Sequence, residues 1–178
     1  MVDQVIHLVL QFSRGALMAK CNVKSAYRNA PVHPSDHYLL GTKWRNQYYV
    51  DLALPFDLHS VPCVLNLIAD MVEWILVHSY HIPAFLHYLD DFITTAPHSP
   101  DSQQHLHNLS TALVVCKQLG LPLYLGKYEG PATVLVVLGF ELDSVNQAAC
   151  LPADKLLALQ GLISLCLPQK CNTVNRGQ

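Results

Sequence analysis

The stretch AFLHYLDDFITTAP, residues 84–97, places two adjacent carboxylates, Asp90 and Asp91, between two short apolar runs. AFLHY and FITTA have the length and the aromatic and β-branched content of strands, so the aspartates fall at a hairpin turn. An unpaired buried carboxylate is costly, and two in contact raise each other's pKa. A fold that accepts this stretch must therefore bring positive charge or hydrogen-bond donors to the tip of a hairpin. Asp is common in turns, where it satisfies backbone donors, so a purely structural role is open. A glycosidase-type pair fits poorly, because consecutive strand residues point to opposite faces. A divalent cation fits two hard oxygen ligands better.

The rest of the chain supplies the frame. Residues 3–13 have helical spacing, and ALMAKCNV reads as a strand ending near Asn22. YLLGTKW and QYYVDLAL predict a hairpin turning at Arg45 and Asn46. A helix is expected from Ser60, with Ser60 as cap, Pro62 in the first turn, and Val64, Leu67, Ile68, Met71, Ile75 and Leu76 on one face. After the aspartate hairpin comes a second helix, with Ser99 as cap, Pro100 at its first position, and Gly120 and Pro122 as its stop. TVLVVLGFEL reads as a strand and PADKLLALQGLISLC as a last amphipathic helix. No internal repeat interrupts this order. Strand, helix, hairpin, helix, strand is the ferredoxin-like βαββαβ arrangement, an α+β fold whose antiparallel sheet carries helices on one face. In that fold the first strand neighbours the hairpin, so positions 22, 90 and 91 should converge at one sheet edge.

Composition limits the alternatives. With 178 residues, 51% hydrophobic and 13% charged, the chain can bury a core and lacks the signature of disorder. Six cysteines without a CxxC pair predict reduced thiols and an intracellular protein. No apolar run reaches the length of a membrane span, since Glu73 and Glu141 interrupt the two candidates, so no membrane partner is expected. The net charge of −2 is not that of a basic nucleic-acid-binding domain. Up to residue 50, however, Arg14, Lys20, Lys24, Arg28, Lys43 and Arg45 face only Asp3 and Asp36. A local basic surface and an ordinary solvated face are both compatible with that excess.

Motif by motif, the chain resembles the reverse transcriptases of retroelements. YLDD resembles the YxDD box. KCNVKSAYRNAPVHPSDHYLLGTKW resembles the block that opens with the first catalytic Asp, and LPFDLHSVPCVLN the LPFG segment that contacts template and nucleotide. LGLPLYLGKYEGP and VVLGFELDS resemble the Lys-bearing loop and primer grip. The wording is most similar to the tyrosine-recombinase, DIRS-like retrotransposons. The resemblance implies partial fingers and palm over residues 1–150, and the start of a thumb-like helix with a tail over 151–178, as a piece of a larger polyprotein. It implies two Mg²⁺ ions for nucleotidyl transfer, with a template–primer of RNA or DNA and deoxynucleotides as partners. Residue by residue, Asp90, Asp91 and the Val23 carbonyl would hold metal, and Lys127 would protonate the leaving pyrophosphate. Lys24, Tyr27, Pro55 and Phe56 would line the nucleotide site, with Tyr27 against the ribose.

Three positions depart from that pattern. Asn22 stands where the family has its first catalytic Asp, and an amide brings no negative charge to a two-ion site. Asp57 stands where LPFG has Gly, a place of close backbone approach, and would repel phosphate. His59 replaces a usual Arg and is charged only at acidic pH. The expectation is impaired polymerase activity, with a non-catalytic nucleic-acid or protein binding module, or a remnant without function, as alternatives. Elsewhere, His33 and His37 lack a third ligand, and Ser25 and Cys21 lack a His–acid partner.

Overall fold

A computed structural model describes residues 2–12, 14–56, 58–98 and 103–166. Helix α1 (Val2–Gln11) leads into strand β1 (Leu17–Asn22). Two 3₁₀ turns, Ala26–Asn29 and Pro34–Leu40, precede a hairpin of β2 (Gly41–Trp44) and β3 (Gln47–Val50). Arg45 and Asn46, at φ 47° and 62°, make its two-residue turn, the left-handed pair that matches the twist of a tight hairpin. Helix α2 (Val61–Trp74) runs on through a π turn to Ser79, followed by β4 (Phe85–Tyr88) and β5 (Asp91–Ala96). Helix α3 (Gln103–Gln118), strands β6 (Glu129–Ala132), β7 (Val134–Val137), β8 (Phe140–Asp143) and β9 (Ala148–Cys150), and helix α4 (Ala153–Cys166) complete the chain.

The main sheet has the order β4-β5-β1-β6, with every neighbouring pair antiparallel. This is the ferredoxin-like order, and α2 and α3 are its two crossover helices. They close one face of the sheet around Cys21, Leu65, Val72, Leu76, Phe85, Phe92, Val115 and Cys116. The opposite face is covered by α1 and the β7–β8 hairpin, which bury Val5, Val9, Met18, Ile93, Leu135, Val137 and Leu142. Each strand of the β1–β5 pair thus feeds both cores by simple alternation, as in Phe92 against Ile93.

The fourth strand of the sheet is not the expected one. TVLVVLGFEL is two strands, because Leu138 and Gly139 take φ 50° and 86° and turn the chain back on itself into a separate three-stranded sheet, β7-β8-β9. The sheet is completed instead by β6, whose Gly130 and Pro131 have low strand propensity. Gly130 is required there: at φ 101° it lies so close to β1 that a Cβ would meet the Met18 carbonyl at 2.4 Å.

The helices also differ in detail. Ser60 sits at the N-cap of α2 but its hydroxyl makes no capping bond. The buried stripe of α2 is Val61, Leu65, Ala69 and Val72, continuing to Leu76, whereas Val64, Leu67 and Met71 face solvent. With apolar residues almost all round, periodicity alone cannot choose the inner face. The continuous helix Val61–Ser79 reaches the length and mean hydropathy, 1.5, of a membrane span, contrary to the expectation from its interruption by Glu73; one face packs on the sheet. Helix α4, expected to be amphipathic, has its leucines on all sides and no apolar stripe, and it buries no residue. Ser99 and Pro100 lie outside the described residues, as does Asp57.

Candidate active site

The β4–β5 turn is two residues long, Leu89 and Asp90, with Leu89 at φ 54°. A non-glycine residue there is disfavoured by roughly 1 kcal/mol or more. The turn is held by packing of Leu89 on the core and by the Val23 amide, which donates to the Asp90 carbonyl at 2.8 Å. The short turn fixes the β4–β5 register, and β1 pairs with β5 so that Asn22 lies directly across from Asp91. Directly opposed residues share a face, and the Asn22 amide donates to the Asp91 carboxylate.

On the other side of β1, the loop after α3 closes the site. Tyr124 donates its backbone N–H to the Asn22 carbonyl at 2.7 Å, and Lys24 donates to the Pro122 carbonyl at 2.8 Å. These bonds carry Lys127 to the cleft, where its ammonium lies 5.9 Å from the Tyr124 ring centre. A cavity of about 460 Å³ results, lined by Asn22, Val23, Lys24, Tyr27, Phe56, Asp90, Tyr124 and Lys127 among others. Tyr27 and Phe56 meet edge to face at 4.9 Å and form its apolar wall.

Most of the residues singled out in the sequence therefore meet in one cleft, with two exceptions. Asp91 does not line the cavity, and Pro55 lines a neighbouring cavity that shares Phe56. Tyr124 was missed; its signal was its position three residues before Lys127 in the Lys-bearing loop. From the sequence, Lys20 stands out only as part of a basic excess. It bridges Glu129 at 3.0 Å and the Val136 carbonyl at 2.6 Å, on the face of β1 that Asn22 shares.

Burial holds the Asp91 carboxyl above the usual range, and the charge of Asp90 adds to this, while Lys20 and Lys127 oppose it. Burial likewise pushes the Cys21 thiol to about 12, with Cys116 and Asp91 adding to the effect. His33 and His37 serve local structure: His33 accepts from the Ser35 amide to cap its 3₁₀ turn, and a His37 ring nitrogen lies 2.9 Å from the Val32 carbonyl.

The donor set does not fit a pair of divalent cations. Two carboxylates are present rather than three, and the side chain at position 22 turns an N–H, not an oxygen, toward Asp91. Among the described residues no group of three or more His, Cys, Asp or Glu side chains is placed to hold a metal. The cleft offers one carboxylate, two lysines and an aromatic wall: a surface suited to binding an anionic, ring-bearing ligand.

No protein-family model and no curated protein matches the chain. Solved structures do. The foamy viral protease-reverse transcriptase in complex with double-stranded DNA superposes with a TM-score of 0.69 at 17% identity, over 84% of this chain and 24% of that one. The same viral protein in complex with an RNA/DNA hybrid gives 0.67 at 19% identity, over 89% of this chain and 22% of that one. The native Prototype Foamy Virus protein gives 0.63 at 19% identity, over 95% and 23%. The chain thus spans about a quarter of the length of these viral proteins, and over that span it has a reverse-transcriptase-like fold.

Proposed function

We propose that the chain is a reverse-transcriptase-like domain of a retroelement, of the DIRS-like type, which keeps the template–primer cleft of a polymerase while its nucleotidyl transfer is impaired. The observation that carries this reading is the Asn22–Asp91 hydrogen bond. It occupies, with a neutral amide, the point at which two-ion transfer needs a third carboxylate. Binding is supported by Lys24 and Lys127 on the cleft wall, and by the nucleic acids bound in the structurally similar viral complexes.

The test is fluorescence anisotropy with a labelled template–primer duplex at several salt concentrations. The proposal expects affinity that falls as salt rises, by a slope reporting the phosphates neutralised, and a loss when Lys24 and Lys127 are both changed to Ala. Binding no tighter than that of an acidic control protein would remove the proposal and leave a fold without its ligand.

A further inference from the structure

Outside the cleft, α2 and β4 meet at a polar cluster. Phe85 and His87 of β4 alternate onto the face that α2 covers, and His87 is only 5% exposed there. Asn66, Asp70 and Glu73 follow one another at one-turn spacing along a single flank of α2. Glu73 Oε2 lies 2.6 Å from His87 Nδ1. A carboxylate only accepts, so Nδ1 carries the hydrogen, and a neutral imidazole then keeps its lone pair on Nε2. Nε2 is buried, and among the described residues nothing hydrogen-bonds to it. Its polar neighbour is Oδ1 of Asp70, 3.4 Å away. The Asn66 amide donates to the other oxygen of Asp70 at 3.0 Å and so holds that carboxylate in place. Among the described residues, His87 is the only base within ion-pair reach of Asp70 or Glu73, so two negative charges share one imidazole.

The geometry points to a two-ligand site for one Zn²⁺, or a similar borderline transition-metal ion, between Nε2 of His87 and Oδ1 of Asp70. Bonds of about 2.0–2.2 Å at a tetrahedral ion set its ligand atoms about 3.3–3.6 Å apart. The two atoms here are 3.4 Å apart, long for a hydrogen bond and right for one edge of that tetrahedron. Glu73 supplies the carboxylate that metal-bound imidazoles take on their other nitrogen, where it fixes the tautomer and raises ligand basicity. A dication also offsets the negative charge that two carboxylates leave on the cluster. The imidazole nitrogen selects against Mg²⁺ and Ca²⁺, which take oxygen ligands. The Asp70 side chain is 56% exposed, so the ion has a path in and water completes its coordination. Bound there, it clips α2 to β4 one residue before Tyr88, whose partner across the strand pair is Asp91. Neither ligand lines the cleft, and the inference does not rest on the nucleic-acid reading.

The test is calorimetry with Zn²⁺ on the full chain, its reactive thiols first blocked with iodoacetamide so that thiolate ligands do not compete. The expected result is one tight Zn²⁺ per chain, a melting temperature that rises with Zn²⁺, and no such rise with Mg²⁺ at the same concentration. Asp70→Asn, which keeps an acceptor for Asn66, should abolish the tight binding and leave the metal-free melting temperature within a few degrees of the parent's. His87→Ala should abolish it as well, and Asp70→Asn decides the matter if that buried variant fails to fold. Glu73→Gln should weaken binding roughly tenfold, because an amide leaves the imidazole less basic. Asp90→Asn, in the cleft, should leave Zn²⁺ affinity unchanged. Equal affinity in the parent, Asp70→Asn and Glu73→Gln would assign the ion to other surface groups and overturn the inference. Loss of binding in Asp90→Asn would place the ion in the cleft and overturn it too. A parent that binds no Zn²⁺ would leave His87 as an imidazolium ion-paired to both carboxylates, and the inference would be wrong.

Discussion

The amide of Asn22 donates to the carboxylate of Asp91 directly across the β1–β5 pair, at the end of the sheet where the two-residue turn presents Asp90. This one bond connects the sequence departure at position 22 to the chemistry of the cleft. Asp91 receives a neutral donor in place of a cation, and its oxygen is occupied as long as the bond holds.

A carboxyl held above its usual pKa costs stability when ionised. Asp91 is raised by burial and by Asp90, so the folded state retains a proton that the unfolded chain has lost. Stability therefore falls as pH rises from 3.8 through the raised value. Asp91→Asn removes the charge and keeps an acceptor for Asn22. Its melting temperature should exceed the parent's by a few degrees at pH 7, with the difference vanishing below the unfolded pKa. A variant less stable than the parent at pH 7 would show that Asp91 is stabilised where it stands.

The thiols should divide sharply. Cys21 and Cys116 are buried, and burial pushes their pKa values to about 12 and about 11. Among the described residues the other three cysteines, Cys63, Cys150 and Cys166, are exposed. Because the thiolate is the reactive form, a maleimide at neutral pH should modify Cys63, Cys150 and Cys166 within minutes and Cys21 and Cys116 only after denaturant is added. Mass mapping of the labelled peptides checks this, and early labelling of Cys21 would contradict the packing of β1 on α3.

Gly130 carries the pairing of β6 with β1. At φ 101°, with the Met18 carbonyl 2.4 Å and the Ala19 Cα 2.8 Å from a built Cβ, Gly130→Ala meets backbone that cannot move aside cheaply. The variant should lose about 2–4 kcal/mol in urea unfolding, whereas Gly120→Ala, at φ 75° with open space around it, should lose about 1 kcal/mol. Equal losses would place the cost in backbone conformation alone.

Much of the site was legible because tight turns fix register. Asp90 and Asp91 lie between two apolar runs, and once those runs pair, the neighbouring strand of a βαββαβ fold must bring Asn22 alongside. The Arg45–Asn46 turn was readable for the same reason. What failed were elements defined only by their partners. Glu129–Ala132 becomes a strand through its pairing with β1 despite Gly130 and Pro131, and the inner face of α2 is chosen by the sheet, not by its own nearly uniform apolarity. That Asp91 accepts from Asn22 and does not line the cavity was not legible either, because strand pairing sets which residues are neighbours and not which side chains border the cleft.

The most direct test of the account is Mn²⁺ binding, measured by calorimetry and electron paramagnetic resonance on the parent and on Asn22→Asp, with Asp90→Asn added to the latter as a control. Replacing the amide by a carboxylate breaks the bond to Asp91 and adds a unit charge facing the cation. Affinity should rise roughly ten- to thirtyfold even with water-like screening, and fall back when Asp90 is removed. Primer extension on an RNA template should be higher in Asn22→Asp than in the parent. The account predicts weak binding by the parent and this rise in the variant; a parent that binds two Mn²⁺ as tightly as Asn22→Asp would contradict it.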